Sequence, residues 1–323
     1  MSILVYVMKP LVLFFLLICA YVLQGQGYDS LEVIPLHTGT MYRFKGLAID
    51  EKTSTVYLGS WDQKQIVAVS LKDRTHKIIP TPYSRKLNGM GCYIRDRSLY
   101  VVMNEVDDDP AHKPVSVLVV YDLDHNRITR TYEEKSDGVR NHFNHVVVDS
   151  NGVAYVSNTL KGNILMIDTN DPQSTFNVLV EHKDLSWVHG IDLSADASKL
   201  FMTSYESGIR ILDLKSKTFS TYNHKATAGD DGLKYYKGSL YGVGQNSLKK
   251  YQLDKSETMV VRIDTVINNH EFFNDARCLH MSDKRLYCLG NIEFEPVRFR
   301  NDRIQPKTER FDDSYLIKLT LPD

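Results

Sequence analysis

The chain has 323 residues, of which 42% are hydrophobic, 24% charged and 10% aromatic, with 39 Lys and Arg against 40 Asp and Glu. Those proportions belong to a globular protein with a large core and exclude disordered, collagen-like and multi-span membrane chains. A net charge of −1 provides no basic face, so no nucleic-acid partner is expected.

Residues 1–27 read as a secretory leader: a lone Lys9, an unbroken apolar run from Leu11 to Leu23, then Gly25 and Gly27 as small residues before a cut ahead of Tyr28. The run is shorter than the roughly 20 residues a bilayer span needs. Met8 offers a second start that would give a tighter leader. Residues 28–323 are therefore expected to form one exported domain, secreted or periplasmic, monomeric and without a membrane span after cleavage.

Past the leader, a strand-like segment, LEVIPL from Leu31, precedes six copies of one pattern: a polar residue, usually followed by Gly, then alternating apolar positions and an aromatic strand. The copies are KGLAIDEKTSTVYLGS from Lys45, NGMGCYIRDRSLYVVM from Asn88, NHVVVDSNGVAYVSN from Asn144, HGIDLSADASKLFMTS from His189, DGLKYYKGSLYGVG from Asp231 and DARCLHMSDKRLYCLG from Asp275. The spacing from first residue to strand aromatic is 12, 12, 11, 12, 10 and 12. A third alternating run follows each copy (IVAVSL, VLVVYDL, ILMIDT, IRILDL, LKKYQL, YLIKLTL), and a fourth follows the first five (HKIIP, ITRTY, FNVLV, TFSTY, VVRID). Four short antiparallel strands per repeat make a propeller blade. The sixth repeat lacks its fourth strand, and residues 31–36 can supply it, covering a strand edge that would otherwise invite aggregation. The fold read from this pattern is all-β: a six-bladed β-propeller whose last blade is closed by an N-terminal strand.

Without Cys19 of the leader, Cys92, Cys278 and Cys288 remain, enough for at most one internal disulfide. Cys278 and Cys288 are symmetric about Asp283, so a hairpin centred there would bring them face to face. A bridge and two buried free thiols are the alternatives, with free thiols favoured because cysteine is a common core residue.

In a ring of this kind the first residue of each copy stands near one mouth of the central channel. Lys45, Asn88, Asn144, His189, Asp231 and Asp275 are then expected to converge as polar groups on the axis, with His145 beside them either as a proton shuttle or as a capped turn residue. Convergent polar groups in a concave site form a ligand-binding candidate, although any water-filled channel also needs a polar lining.

The copies FNHVVVDSNGVAYVSN, WVHGIDLSADASKLFMTS and DDGLKYYKGSLYGVG resemble blade motifs of the senescence-marker-protein, gluconolactonase and luciferin-regenerating-enzyme group of six-bladed propellers, over roughly residues 40–290. That resemblance implies a divalent cation, usually calcium, on a first-blade Glu, two Asn and an Asp that also serves as base. Asn144 matches one Asn and Asp231 the Asp. Lys45 stands where the Glu is expected, in FKGLAID, and His189 where the second Asn is expected. An ammonium in place of a carboxylate repels a cation by about 4 kcal/mol at 4 Å and an effective dielectric near 20. A metal on Asn144, Asp231 and His189 would shift from calcium toward zinc or manganese, because imidazole replaces an oxygen donor. A metal-free funnel, with Lys45 and Asp231 paired across it, is favoured.

With a metal, Asp231 would act as base and Lys45 would steady an oxyanion in lactone or ester hydrolysis. The other readings are a non-catalytic propeller for ligands or proteins, and a lyase or isomerase working through His189 and Asp231. No Gly-x-Ser-x-Gly, His-Glu-x-x-His or phosphate-cradling motif occurs. The ligand is expected to be a small molecule, anionic or sugar-derived. Two loops exceed the repeat length: one carries Asp107, Asp108 and Asp109 as a solvated acidic stretch, and residues 291–313 carry Arg298, Arg300, Arg303, Lys307 and Arg310. Folded over the funnel, the second would favour an anion; on the rim it would be a basic patch.

Overall fold

The structure, a computed structural model, describes residues 30–38, 43–61, 64–83, 86–105, 113–220, 227, 229–244, 246–270, 273, 275–290, 297–300, 303–306 and 314–322. Residues 1–27, expected to be a leader, residues 107–109 and most of residues 291–313 lie outside these. Six four-stranded antiparallel sheets follow one another along the chain. The chain begins with β1 (Ser30–Pro35). Blade 1 is β2 (Phe44–Asp50), β3 (Thr55–Ser60), β4 (Gln65–Ser70) and β5 (His76–Ile79). Blade 2 is β6 (Leu87–Arg95), β7 (Ser98–Glu105), β8 (Val115–Asp122) and β9 (Arg127–Lys135). Blade 3 is β10 (Phe143–Val148), β11 (Val153–Asn158), β12 (Asn163–Asp168) and β13 (Asn177–Glu181). Blade 4 is β14 (Val188–Leu193), β15 (Lys199–Ser204), β16 (Gly208–Asp213) and the short β17 (Thr218–Phe219). Blade 5 is β18 (Gly232–Tyr236), β19 (Ser239–Gly244), β20 (Ser247–Leu253) and β21 (Val260–Asn268). Blade 6 contains β22 (Leu279–Ser282) and β23 (Arg285–Gly290); then come a separate hairpin, β24 (Val297–Arg300) with β25 (Arg303–Pro306), and finally β26 (Tyr315–Thr320).

The last sheet runs β1-β26-β23-β22, so the N-terminal strand is its outer strand. It pairs from Ser30↔Thr320 to Pro35↔Tyr315, and the Leu36 amide continues the ladder to the Ser314 carbonyl at 3.0 Å. The ring is thereby closed through backbone hydrogen bonds between distant parts of the chain. Every third and fourth run read from the sequence overlaps its strand.

Alternation along the middle strands sends successive side chains to opposite neighbours. Leu99, Val101 and Met103 of β7 pack with Ala48, Ile66 and Ala68 of blade 1, whereas Tyr100 and Val102 pack with Phe143, Val146 and Val156 of blade 3. Among the described residues there are six such apolar clusters, one for each pair of adjacent blades. Each fully buried Val, Leu or Ile contributes about 1.5–3 kcal/mol to them. The outer strands are mostly exposed, as the pattern of β9 illustrates.

The glycine after the polar residue has a steric cause. A Cβ on Gly46 would stand 1.9 Å from the Met90 carbonyl oxygen of the next inner strand, and one on Gly190 would stand 2.6 Å from the Asp231 carbonyl oxygen. Inner strands approach one another at the axis more closely than side chains permit.

The disulfide alternative fails on register. The β22–β23 hairpin turns on Asp283 and Lys284, so Leu279 pairs with Cys288 and Cys278 lies one residue beyond. A one-residue offset puts the two side chains on opposite faces. Cys278 packs in the cluster between blades 6 and 1, and Cys288 in the cluster between blades 5 and 6. Both are buried free thiols, as is Cys92.

Candidate functional site

The funnel is built where the inner strands begin. Asp231 immediately precedes β18, its amide tied to the Val243 carbonyl at 2.7 Å, and its side chain is 1% exposed. Its Oδ2 accepts from the Lys45 ammonium, from the Tyr205 hydroxyl at 2.7 Å and from Arg277 Nη1 at 3.1 Å. Lys45 arrives from β2, Tyr205 from the turn after β15, and Arg277 from the segment leading into β22. Three blades thus converge on one carboxylate oxygen. Arg277 also holds Asp275, through Nε at 2.9 Å and Nη2 at 2.8 Å. The result is a cation–anion chain running from Lys45 through Asp231 and Arg277 to Asp275.

Burial alone would push the Asp231 carboxyl upward, but Lys45, with the other groups around it, outweighs that and holds it well below the usual carboxylate range. Burial pulls Lys45 below an ordinary lysine, and the Asp231 charge opposes that pull. Arg277 stays charged: burial disfavours its cation, and the Asp231 and Asp275 carboxylates more than restore it.

The imidazoles are neutral. His189 is 6% exposed, and burial brings it down to about 4 despite Asp231. His145 is brought down to about 3 by burial, and His142 to about 4 by burial and then by Lys45. Neighbours fix the tautomer of two of them. His189 Nδ1 lies 2.7 Å from the Trp187 carbonyl oxygen, which can only accept, so Nδ1 carries the proton and Nε2 the lone pair. Asn144 donates Nδ2 to Thr159 Oγ1 at 3.0 Å, leaving its Oδ1 to accept from His145 Nδ1 at 3.0 Å. His145 Nε2 therefore also carries a lone pair. The His189 ring packs on Tyr205, with centroids 4.1 Å apart.

Two buried acceptors stand out: Asp231 Oδ1 and Asn88 Oδ1 have no hydrogen-bond partner among the described residues. Most buried polar atoms do have one.

The donor set does not fit the cation implied by the resemblance. A divalent ion at Asp231 Oδ1 would stand close to the Lys45 ammonium and the Arg277 guanidinium on Oδ2, both of which repel it. Asn144 Oδ1 faces the N–H of His145. Among the described residues no three His, Cys, Asp or Glu side chains gather as a metal-binding group.

Asp275 is tied to the site through Arg277, and Arg277 falls outside the six polar positions expected from the repeats. Arg277 stands 10 residues before Tyr287, as Asp231 stands 10 before Tyr241. Lys45, Asn144 and His189 each stand three residues before the residue that faces the aromatic (Ala48, Val147 and Asp192), just as Asp231 stands three before Lys234 and Arg277 three before His280. The longer spacing in blades 1, 3 and 4 therefore comes from longer turns between the first and second strands, and in blade 2 from the inner strand itself, where Asn88 stands five residues before Tyr93 across a bulge. Tyr205 lies outside every repeat motif, and nothing in the sequence marked it.

No family model and no curated protein matches the chain. Solved structures do. A putative oxidoreductase (glucose dehydrogenase) from Thermus thermophilus superposes with a TM-score of 0.61 at 13% identity, covering 90% of this chain and 99% of its own. The PQQ-bound aldose sugar dehydrogenase of Streptomyces coelicolor gives 0.57 at 14%, covering 90% and 98%. A luciferin-regenerating enzyme gives 0.58 at 11%, covering 90% and 95%. At these identities the likeness concerns the fold: a six-bladed propeller, shared with sugar dehydrogenases and a luciferin-regenerating enzyme.

Proposed function

We propose that the funnel is a metal-independent site for a small hydroxylated, sugar-derived molecule, and that it hydrolyses a lactone or ester of that class. The observation that carries this reading is the buried, unpartnered acceptor Asp231 Oδ1, held among cations and neutral imidazoles, with Asn88 Oδ1 on the inner strand of blade 2 as a second such acceptor. Ligand hydroxyls would satisfy both. The names of two of the structural neighbours, a glucose and an aldose sugar dehydrogenase, lend support to a sugar-like ligand.

In the hydrolysis, His189 Nε2 takes a proton from water as the water oxygen bonds to the carbonyl carbon. The carbonyl electron pair moves onto oxygen, where Lys45 and Arg277 balance the negative charge. As the pair returns, the ring or ester C–O bond breaks and the departing alkoxide takes the proton from His189. Asp231 positions Lys45, Tyr205 and Arg277 for this. We further propose that the chain works as an exported monomer, on the strength of the leader in residues 1–27.

The test is hydrolysis of D-glucono-1,5-lactone by the mature chain after treatment with EDTA. A rate above the uncatalysed one, unchanged by the chelator and reduced about 10²- to 10⁴-fold in His189→Ala, is expected. A rate that requires added calcium overturns the proposal. D-Gluconate binding without turnover would favour the non-catalytic reading, which the full occupancy of Asp231 Oδ2 by the protein's own donors supports.

A further inference from the structure

Beside the funnel, between the turn joining β11 to β12 and the connection from β13 to β14, lies a cavity of about 430 Å³. Trp187, Leu160, Thr159, Lys161, His182 and Lys183 are among its walls. Two of these also hold funnel side chains: Thr159 Oγ1 accepts from Asn144, and the Trp187 carbonyl accepts from His189. The cavity and the funnel therefore meet at Thr159 and Trp187.

Trp187 sits in the left-handed region, at φ 53°. That conformation is unfavourable for a bulky residue. Burial of the indole does not compensate, because the residue is 49% exposed. Glycine or asparagine would present the same carbonyl to His189 with less strain, so the carbonyl does not account for a tryptophan. Leu160 beside it is 44% exposed. The strained and exposed residue is an aromatic one lining a cavity, and its neighbours there bear hydrogen-bonding ends. Lys161 is paired with Asp137 at 2.5 Å. His182 Nδ1 accepts from the Asp184 amide at 3.1 Å, which leaves its Nε2 as the N–H donor.

We propose that this cavity is a second subsite, in which a pyranose ring attached to the funnel ligand stacks its C–H face on Trp187 and Leu160 and turns its hydroxyls to Lys161, His182 and Lys183. A ring with an apolar face and a polar edge matches a wall of the same kind. The proposal rests on the funnel's taking a hydroxylated ligand, and it narrows the substrate class to glycosylated sugar acids and their lactones.

The test compares D-gluconate with cellobionate, which is gluconate carrying one glucosyl ring, by calorimetry and by indole emission. The chain has two tryptophans, so Trp187→Phe leaves only the signal of Trp61. Cellobionate is expected to bind about 3- to 10-fold more tightly than gluconate, with an emission change that disappears in Trp187→Phe. Trp187→Gly, which accepts the same backbone conformation, should reduce cellobionate to the gluconate level and leave gluconate within about 2-fold of the parent. Equal weakening of both ligands in Trp187→Gly, or gluconate binding with no gain for cellobionate, overturns the subsite. If gluconate does not bind but methyl β-D-glucoside still shifts the emission of Trp187, the subsite stands and the funnel reading fails. No response to any of the three refutes both.

Discussion

The ion network at Asp231 makes an asymmetric prediction for its two ends. In Lys45→Met, the Asp231 carboxylate keeps Arg277 at 3.1 Å and Tyr205 at 2.7 Å, and methionine avoids the desolvation cost of a buried ammonium. Two charges about 4 Å apart attract by roughly 4 kcal/mol at an effective dielectric near 20. With most of that offset by the relieved desolvation and the remaining guanidinium, the net loss should be about 1–2 kcal/mol. In Asp231→Asn, the buried Lys45 ammonium loses its carboxylate and keeps Arg277 as a like-charged neighbour. Breaking a buried pair from this side costs about 3–5 kcal/mol. Lys45 can limit the loss by giving up its proton, since burial already lowers its pKa. The double variant, Lys45→Met with Asp231→Asn, should lose less than the sum of the two single losses. Urea unfolding at pH 7, read as midpoint shifts at constant slope, measures all three. Equal losses at the two ends, a greater loss in Lys45→Met, or strict additivity in the double variant would refute the reasoning.

Gly46→Ala should cost about 3 kcal/mol or more, because the new Cβ would meet the Met90 carbonyl oxygen at 1.9 Å; a melting temperature within a degree of the parent would contradict the close approach of blades 1 and 2. Deleting residues 30–36 removes the outer strand of blade 6 and the buried Leu36, so β26 becomes an open edge, and size-exclusion chromatography should show association or aggregation instead of a monomer peak. His189 is lowered from 6.5 to about 4, so the unfolded chain takes up a proton near pH 6.5 before the folded one does. Its contribution, about 3 kcal/mol, is complete above pH 6.5 and lost as the pH falls toward 4; urea midpoints from pH 7.5 to 4.5 should drop less in His189→Asn.

Period-two apolar runs and the recurring aromatic made the blades legible, because each middle strand must satisfy two neighbouring blades at once and cannot drift in phase. The closing strand was legible for a related reason: a sixth repeat without a fourth strand leaves an edge, and residues 31–36 offered an unassigned strand-like segment just before the first repeat. Cysteine pairing was harder, since symmetry about Asp283 assumes a one-residue turn, whereas the hairpin uses two residues and the extra one reverses the face.

The site was harder to read than the fold because its positions depend on counting residues across turns of unequal length. Longer turns put Lys45, Asn144 and His189 at 11 or 12 residues from the aromatic, and a longer, bulged inner strand does the same for Asn88. Applied to blade 6, the same count reaches Asp275, although the two-residue turn puts Arg277 in the place that Asp231 occupies in blade 5. That shift changes the electrostatics. An Asp at this position would have set a second carboxylate near Asp231 and favoured a cation between them, whereas an Arg supplies the charge itself. Side chains from blades 1 and 6 balance the charge of Asp231 and leave its Oδ1 without a partner, so the proposed hydroxylated guest would supply one without disturbing the ion pairs.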